Sequence, residues 1–379
     1  MSQKTAIVVG AGIAGLAAAR ALAMRNYKVT LLERTHKAIG ASIRNFGMIL
    51  PIGQPDGKFF DRAMLSRSIW TQVCDDANIW YDEVGSLQLA YQQDELNVLT
   101  ELADLYRHRG YSLLNAKETL DHSPAVSSQG LLGSLYSKDE VIIDPRVAIA
   151  TIPTWLSEKY GVQFLWGKAA TDICYPAVYA GNESFEADEI FVCSGSDFET
   201  LYPDLFAQLP LTRCKLQMMR MQAQPNSWRI GPMLCGALSL LHYNSFKPAA
   251  SLPALKKRLE EQYPEYIKWG IHVMVSQNQS GELSVGDSHE YGMTPDPFDK
   301  HQINELILSY LQGMAQFKSN QVIETWNGIY PKLTNGETDV ILEPEQGVMV
   351  VNGLGGAGMT FSFGLLEELI GKRQSTLQY

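Results

Sequence analysis

Hydrophobic positions crowd the start of the chain in a strand, helix, strand rhythm. TAIVV predicts a short buried strand, Ile13 to Asn26 an alanine-rich helix, and Lys28 to Glu33 a second strand. Strands joined this way run parallel, which predicts a doubly wound sheet. Gly40 to Gly57, rich in Gly, Pro, Asn and Ser, predicts a structured loop, and helical periodicity follows at Lys58 to Ala77 and Gln93 to Arg109. A buried strand returns within ADEIFVCSGSDF, Ala187 to Phe198, and stops in a Ser-Gly-Ser turn. From Leu211 to about Trp326 the texture changes to alternating segments, KLQMMRMQAQ, IHVMVSQ and GELSVGDS. Helical stretches at Ala254 to Gln262 and Asp299 to Phe317 interrupt them, so this part predicts a mixed sheet. A last strand, Val348 to Gly353, leads through GLGGAGMTF into a closing helix, Ser362 to Gly371.

Composition narrows the possible partners. A net charge of -10 and a pI near 5.3 provide no basic surface to neutralise nucleic-acid phosphates or anionic lipid. No stretch reaches the length of apolar residues needed to span a bilayer. The apolar run from Ala6 to Met24 is broken by Gly10, Gly12 and Gly15 and continues into another strand, so it reads as a folded element and not as a secretory signal. Cys74, Cys174, Cys193, Cys214 and Cys235 are scattered without metal-ligand spacing, and are expected to be reduced core thiols in a cytoplasmic protein. No metal site is expected.

The chemistry begins at VVGAGIAG. Gly10, Gly12 and Gly15 stand in G-x-G-x-x-G between strand and helix, with Ile13 and Ala14 opening the helix, and Glu33 closing the next strand, followed by Arg34. The first glycine permits a tight turn, the second a close approach to a pyrophosphate, and the third helix-strand packing, while the acid accepts ribose hydroxyls. This predicts a dinucleotide site. A second glycine cluster, Gly353, Gly355, Gly356 and Gly358, followed by Met359 and Thr360, offers backbone amides and a positive helix end to another part of the ligand. That favours FAD over a nicotinamide cofactor. The loop contains neither Cys nor His, so the flavin is expected to be held without a covalent bond.

These segments resemble the D-amino-acid oxidase and glycine/sarcosine oxidase superfamily of flavoproteins over essentially the whole chain: VVGAGIAGLAAARALA with Glu33, GASIRNFGM, VIIDPR, IFVCSGS, and WNGIYP before the glycine-rich end. RCKLQMMR, LHYNSF, IHVMVSQNQSGELSVGDSHEYG and GLGGAGMTFSFGL resemble the branch associated with phosphonate catabolism. The resemblance implies a discontinuous FAD-binding Rossmann-like domain from residues 1–80, 140–210 and 326–379. It implies a mixed-sheet substrate lobe from 81–139 and 211–325. It further implies that Ser42, Arg44, Asn45 and Gly47 lie beside the flavin, the backbone near Ala170 beside the adenine, and Ser194 and Gly195 beside the pyrophosphate, with Gly328 of WNGIYP also near the cofactor.

Family members oxidise a carbon–nitrogen bond, passing a hydride to the flavin, and water then splits the imine. Electrons leave to dioxygen or a carrier. Many members clamp a substrate carboxylate with the arginine of a G-L-R-P segment, whereas the matching segment here is Gly328, Ile329, Tyr330, Pro331. Lys332 follows on the same strand face as Tyr330 by alternation. Tyr330 and Lys332, with Arg44, His242, Tyr243 and His289, are therefore the candidate substrate contacts, suited to a tetrahedral dianion such as a phosphonate. The leading expectation is oxidation of a small anionic amine such as an N-methylated aminophosphonate. Glycine, sarcosine or a D-amino acid is the alternative substrate, and a flavin-binding sensor without turnover the alternative class. Oligomeric state is left open.

Overall fold

The computed structural model describes residues 3–376. Its first layer is a six-stranded sheet in the order Val340–Leu342, Val348–Asn352, Glu189–Val192, Thr5–Val9, Lys28–Glu33, Gln163–Trp166. All neighbours pair in parallel except Val340–Leu342, which runs antiparallel to Val348–Asn352. TAIVV reads as continuously apolar because both faces of its strand are covered. Ala6 and Val8 pack against the helices Ile13–Ala23, Lys58–Ala77, Pro145–Tyr160 and Gly358–Thr376, while Ile7 and Val9 pack against the small antiparallel sheet Asp172–Cys174, Ala177–Ala180, Glu183–Glu186. Alanines 17, 18, 19 and 21 let the first helix sit close to its neighbours.

The second sheet has nine strands, with Leu211–Met221 and Val322–Leu333 paired antiparallel along almost their full lengths. It also takes in Ser86–Ala90, Ser112–Asn115 and Gly133–Ser137. Strand Val322–Leu333 runs through residue 326, where the sequence places a domain boundary. Period-two alternation sorts the side chains. Cys214, Leu216 and Met218 face one core with Met274 and Tyr330, whereas Met219 and Met221 face the opposite core, beneath helix His301–Met314. Among the described residues, no helix is long and apolar enough to cross a membrane.

The helices expected at Lys58–Ala77, Gln93–Arg109, Ala254–Gln262 and Asp299–Phe317 are found at Lys58–Ala77, Gln93–Leu105, Leu252–Gln262 and His301–Met314, the second followed by a separate 3-10 turn at Arg107–Arg109. One expectation needs correction. Cys174 is exposed, at the end of an outer strand whose preceding residue Ile173 points inward, while the other four cysteines are buried.

Glu140 is fully buried where the Pro51–Gly53 turn meets Ser86–Ala90, and accepts the Ile52 N–H and the Ser86 hydroxyl at 2.9 Å each. Burial pushes its pKa up to about 7. The folded state thus binds this proton more tightly than the unfolded chain, so the stability it contributes is fully present below the ordinary glutamate range and lost as pH rises through 7. Glu140→Gln is expected to remove that slope. The melting temperature of the variant, relative to the parent, should rise between pH 5 and 8, with an underlying difference on the order of 3 kcal/mol. Parallel pH profiles for the two proteins would contradict it.

Candidate active site

Three glycine-bearing turns meet at the carboxyl ends of adjacent parallel strands. Val9, Val192 and Val350 lie side by side in register, and each strand then enters its own turn. Gly10 has φ +101°, and a Cβ there would sit 2.5 Å from the Cys193 carbonyl oxygen; a Cβ on Gly15 would sit 1.8 Å from the Gly10 carbonyl oxygen. These positions admit only glycine. The helix begins at Gly12, which offers no capping side chain, and the Ile13 N–H donates to Ser42 Oγ at 2.9 Å. Glu33 accepts the Ala11 N–H at 2.9 Å and the Thr35 N–H at 3.0 Å, which holds the acid beside the glycine turn. Arg34 forms an ion pair with Asp197 of the Ser194–Gly195 turn. Asn352 joins the second and third turns by donating to the Gly195 carbonyl at 2.9 Å.

Beside these strand ends opens a cavity of about 740 Å³. Ile13, Ser42, Arg44 and Asn45 line one part of it, and Gly353, Gly355, Gly356, Gly358, Met359 and Thr360 another. A helix start, a glycine cradle that side chains would fill and a cavity of ligand size together fit a dinucleotide whose ring system enters the cavity. Thr360 is fixed by accepting the Leu50 N–H at 3.0 Å. Not every predicted contact faces the cavity. Gly10, Gly12, Ala14, Gly15, Glu33, Arg34, Ser194 and Gly195 lie outside its lining. Ala170 is buried in the core beneath the small sheet, and Gly47 is a glycine because a Cβ would meet the Ile143 carbonyl at 2.1 Å.

The opposite wall comes from the nine-stranded sheet. Gly328, Tyr330 and Lys332 all line the cavity, as alternation along one strand requires, and Lys332 bridges to Leu354 of the glycine loop. Lys332 Nζ donates to the Tyr291 hydroxyl at 3.1 Å, and has no carboxylate partner among the described residues. Burial lowers its pKa. Arg44 lines the same cavity but is tied to the Asn327 carbonyl at 3.2 Å. Lys247 adds a third cation to the lining, against Asp287 and Glu337.

His242, Tyr243 and His289 also line the cavity, together with two residues that sequence reasoning passed over, His272 and Asp287. The imidazole centroids of His242 lie 4.1 Å from His272 and 4.6 Å from His289. Burial, then mutual repulsion, holds His242 and His272 well below the ordinary histidine range, and burial takes His289 down to about 4. Burial pushes Asp287 well above the carboxylate range. A signal for His272 was present, since in IHVMVSQ it alternates with Met274, which also faces the cavity, and against Ile271 and Val273, which face the far core. The three histidines come from separate segments, so no spacing motif announces the group.

A family model described as "FAD dependent oxidoreductase" (DAO) matches residues 5–369. Among solved structures, glycine oxidase from Geobacillus kaustophilus superposes with a TM-score of 0.73 at 18% identity, covering 98% of this chain and 95% of that one. L-proline dehydrogenase from P. horikoshii gives 0.76 at 16% identity, with coverage of 98% and 94%. Iminodiacetate oxidase from a Chelativorans species gives 0.72 at 18%, with coverage of 97% and 95%. At these identities the likeness concerns the fold. In sequence, the D-amino acid dehydrogenase of Helicobacter pylori is 22% identical over 252 residues, 52% of this chain and 60% of the relative, so the match spans under two thirds of that protein.

Proposed function

The chain belongs to the DAO family of FAD-dependent oxidoreductases, and from that premise we propose that it oxidises the carbon–nitrogen bond of a small anionic amine, an N-methylated aminophosphonate by preference. The observation that carries the reading is Lys332: a partly buried ammonium group without a carboxylate partner among the described residues, facing the cavity beside Tyr330 where relatives would place an arginine. A point charge with a phenol beside it suits a tetrahedral dianion better than a planar carboxylate. Arg44 supports the second reading, an amino-acid substrate, because that residue also lines the cavity.

FAD, when bound, supplies the hydride acceptor. The chain's own part is to bind the amine, hold its anion and exclude water. Tyr243 and Tyr330 are driven far above the ordinary phenol range by burial, so they stay protonated and can donate hydrogen bonds to substrate oxygens, Tyr243 by giving up its weak bond to Met274 Sδ. As the hydride leaves the carbon beside nitrogen, the nitrogen lone pair forms the double bond, and water later cleaves it to an aldehyde and an amine. An amine bound neutral needs positioning more than a strong base. Residues 353–360 carry neither Cys nor His, which supports non-covalent attachment in the same proposal.

The test is anaerobic mixing of the yellow holoprotein with N-methyl-2-aminoethylphosphonate and with sarcosine. Faster bleaching of the flavin band by the phosphonate is the expected result; bleaching by sarcosine alone would move the chain to the amino-acid substrates.

A further inference from the structure

We propose that His242, His272 and His289, with Asp287 beside them, form a binding site for a divalent transition-metal ion, zinc being the reference case, in the wall of the flavin cavity. The three histidines each offer a ring nitrogen, and these atoms all lie within 4.8 Å of one another. Zinc bonds of about 2.1 Å hold tetrahedral nitrogen ligands roughly 3.4 Å apart, so small ring rotations close the set. Asp287 adjoins them, with Oδ1 3.2 Å from His272 Nε2, and the three histidines leave a fourth tetrahedral position open.

The polar atoms here converge without pairing. Both His272 ring nitrogens and Asp287 Oδ1 are buried and lack a hydrogen-bond partner, despite the short separation of Nε2 and Oδ1. Buried polar groups left this way cost stability, and a cation bound through one His272 nitrogen would satisfy that atom. His289 is already oriented as a ligand. Its Nδ1 lies 2.9 Å from the Gly270 carbonyl, so Nδ1 carries the proton and the Nε2 lone pair faces Asp287.

The site is separate in kind from the cofactor cradle but shares its cavity. Resting on the aminophosphonate reading, a coordination position turned towards the cavity would take one oxygen of the substrate's anionic group, while Lys332 takes another. Metal binding itself does not depend on that reading.

Holoprotein equilibrated with zinc chloride and desalted is expected to retain about one zinc per flavin by elemental analysis, released by a competing chelator. His272→Gln combined with His289→Gln should bring zinc to background at unchanged flavin content. Equal zinc in parent and variant, or none in the parent, overturns the proposal. Should the variant fail to fold, zinc-edge X-ray absorption of the parent decides: imidazole scattering from a nitrogen and oxygen shell at about 2.0–2.1 Å is expected, and a sulfur shell or no imidazole signal overturns it. Bleaching by sarcosine alone would sink the aminophosphonate reading and leave the zinc count untouched.

Discussion

Gly15→Ala is expected to give a protein that no longer retains flavin, with affinity reduced by a factor of about 100 or more. The added methyl carbon would lie 1.8 Å from the Gly10 carbonyl oxygen, which belongs to backbone and cannot rotate away as a side-chain tip would. Relief requires the helix Ile13–Ala23 to move off the end of strand Thr5–Val9. The same movement displaces the Ile13 N–H from Ser42 and the Ala11 N–H from Glu33, so the cradle opens at both sides. Flavin content per protein after desalting, and titration with FAD followed by fluorescence quenching, measure the effect. A variant as yellow as the parent would show that the glycine turn has little to do with the cofactor.

The second large effect concerns substrate. Lys332→Met keeps the length and much of the apolar stem of the side chain while removing its charge. For an anionic amine we expect KM to rise about 10- to 100-fold and kcat to change by less than about threefold, the signature of lost binding common to ground and transition states. The neutral amine lacking the anionic group should show little change in either constant. Stopped-flow reduction over a range of substrate concentrations separates the two quantities. Equal losses for both amines would mean that the substitution disturbs the loop at Leu354, which Lys332 bridges through backbone, and not an anion contact.

The legible parts of this fold were those governed by local period and by glycine. The opening strand, helix and strand could be read because both faces of Thr5–Val9 are buried and because Gly10 and Gly15 stand where backbone meets backbone. Lys332 and Tyr330 could be placed together by alternation along one strand. Strands Ser86–Ala90 and Gly133–Ser137 were less visible, since they pair with each other across some forty residues and the first also pairs with the distant strand Met233–Cys235, which leaves no local trace. His272 shows the limit most clearly. Its face could be deduced from its neighbours, but its approach to His242 and His289 depends on how three segments are folded around one cavity. At Gly47 the sequence shows a conspicuous glycine beside a functional loop, and the structure adds a packing reason for it, the Ile143 carbonyl.

Strand Val348–Asn352 follows every other strand in the chain, yet it pairs with Glu189–Val192 near the middle of the six-stranded sheet. A nascent chain emerging from the ribosome therefore carries Glu189–Val192 with one edge open until Val348–Asn352 has been made. That strand is apolar at Ile190, Phe191 and Val192, and an open apolar edge is the kind that pairs with other chains. Neither the third glycine turn nor its bridge from Asn352 to Gly195 can form sooner. Flavin capture thus waits on this strand, and a shortage of flavin during synthesis should be felt as aggregation of newly made chains more than as accumulation of soluble apoprotein.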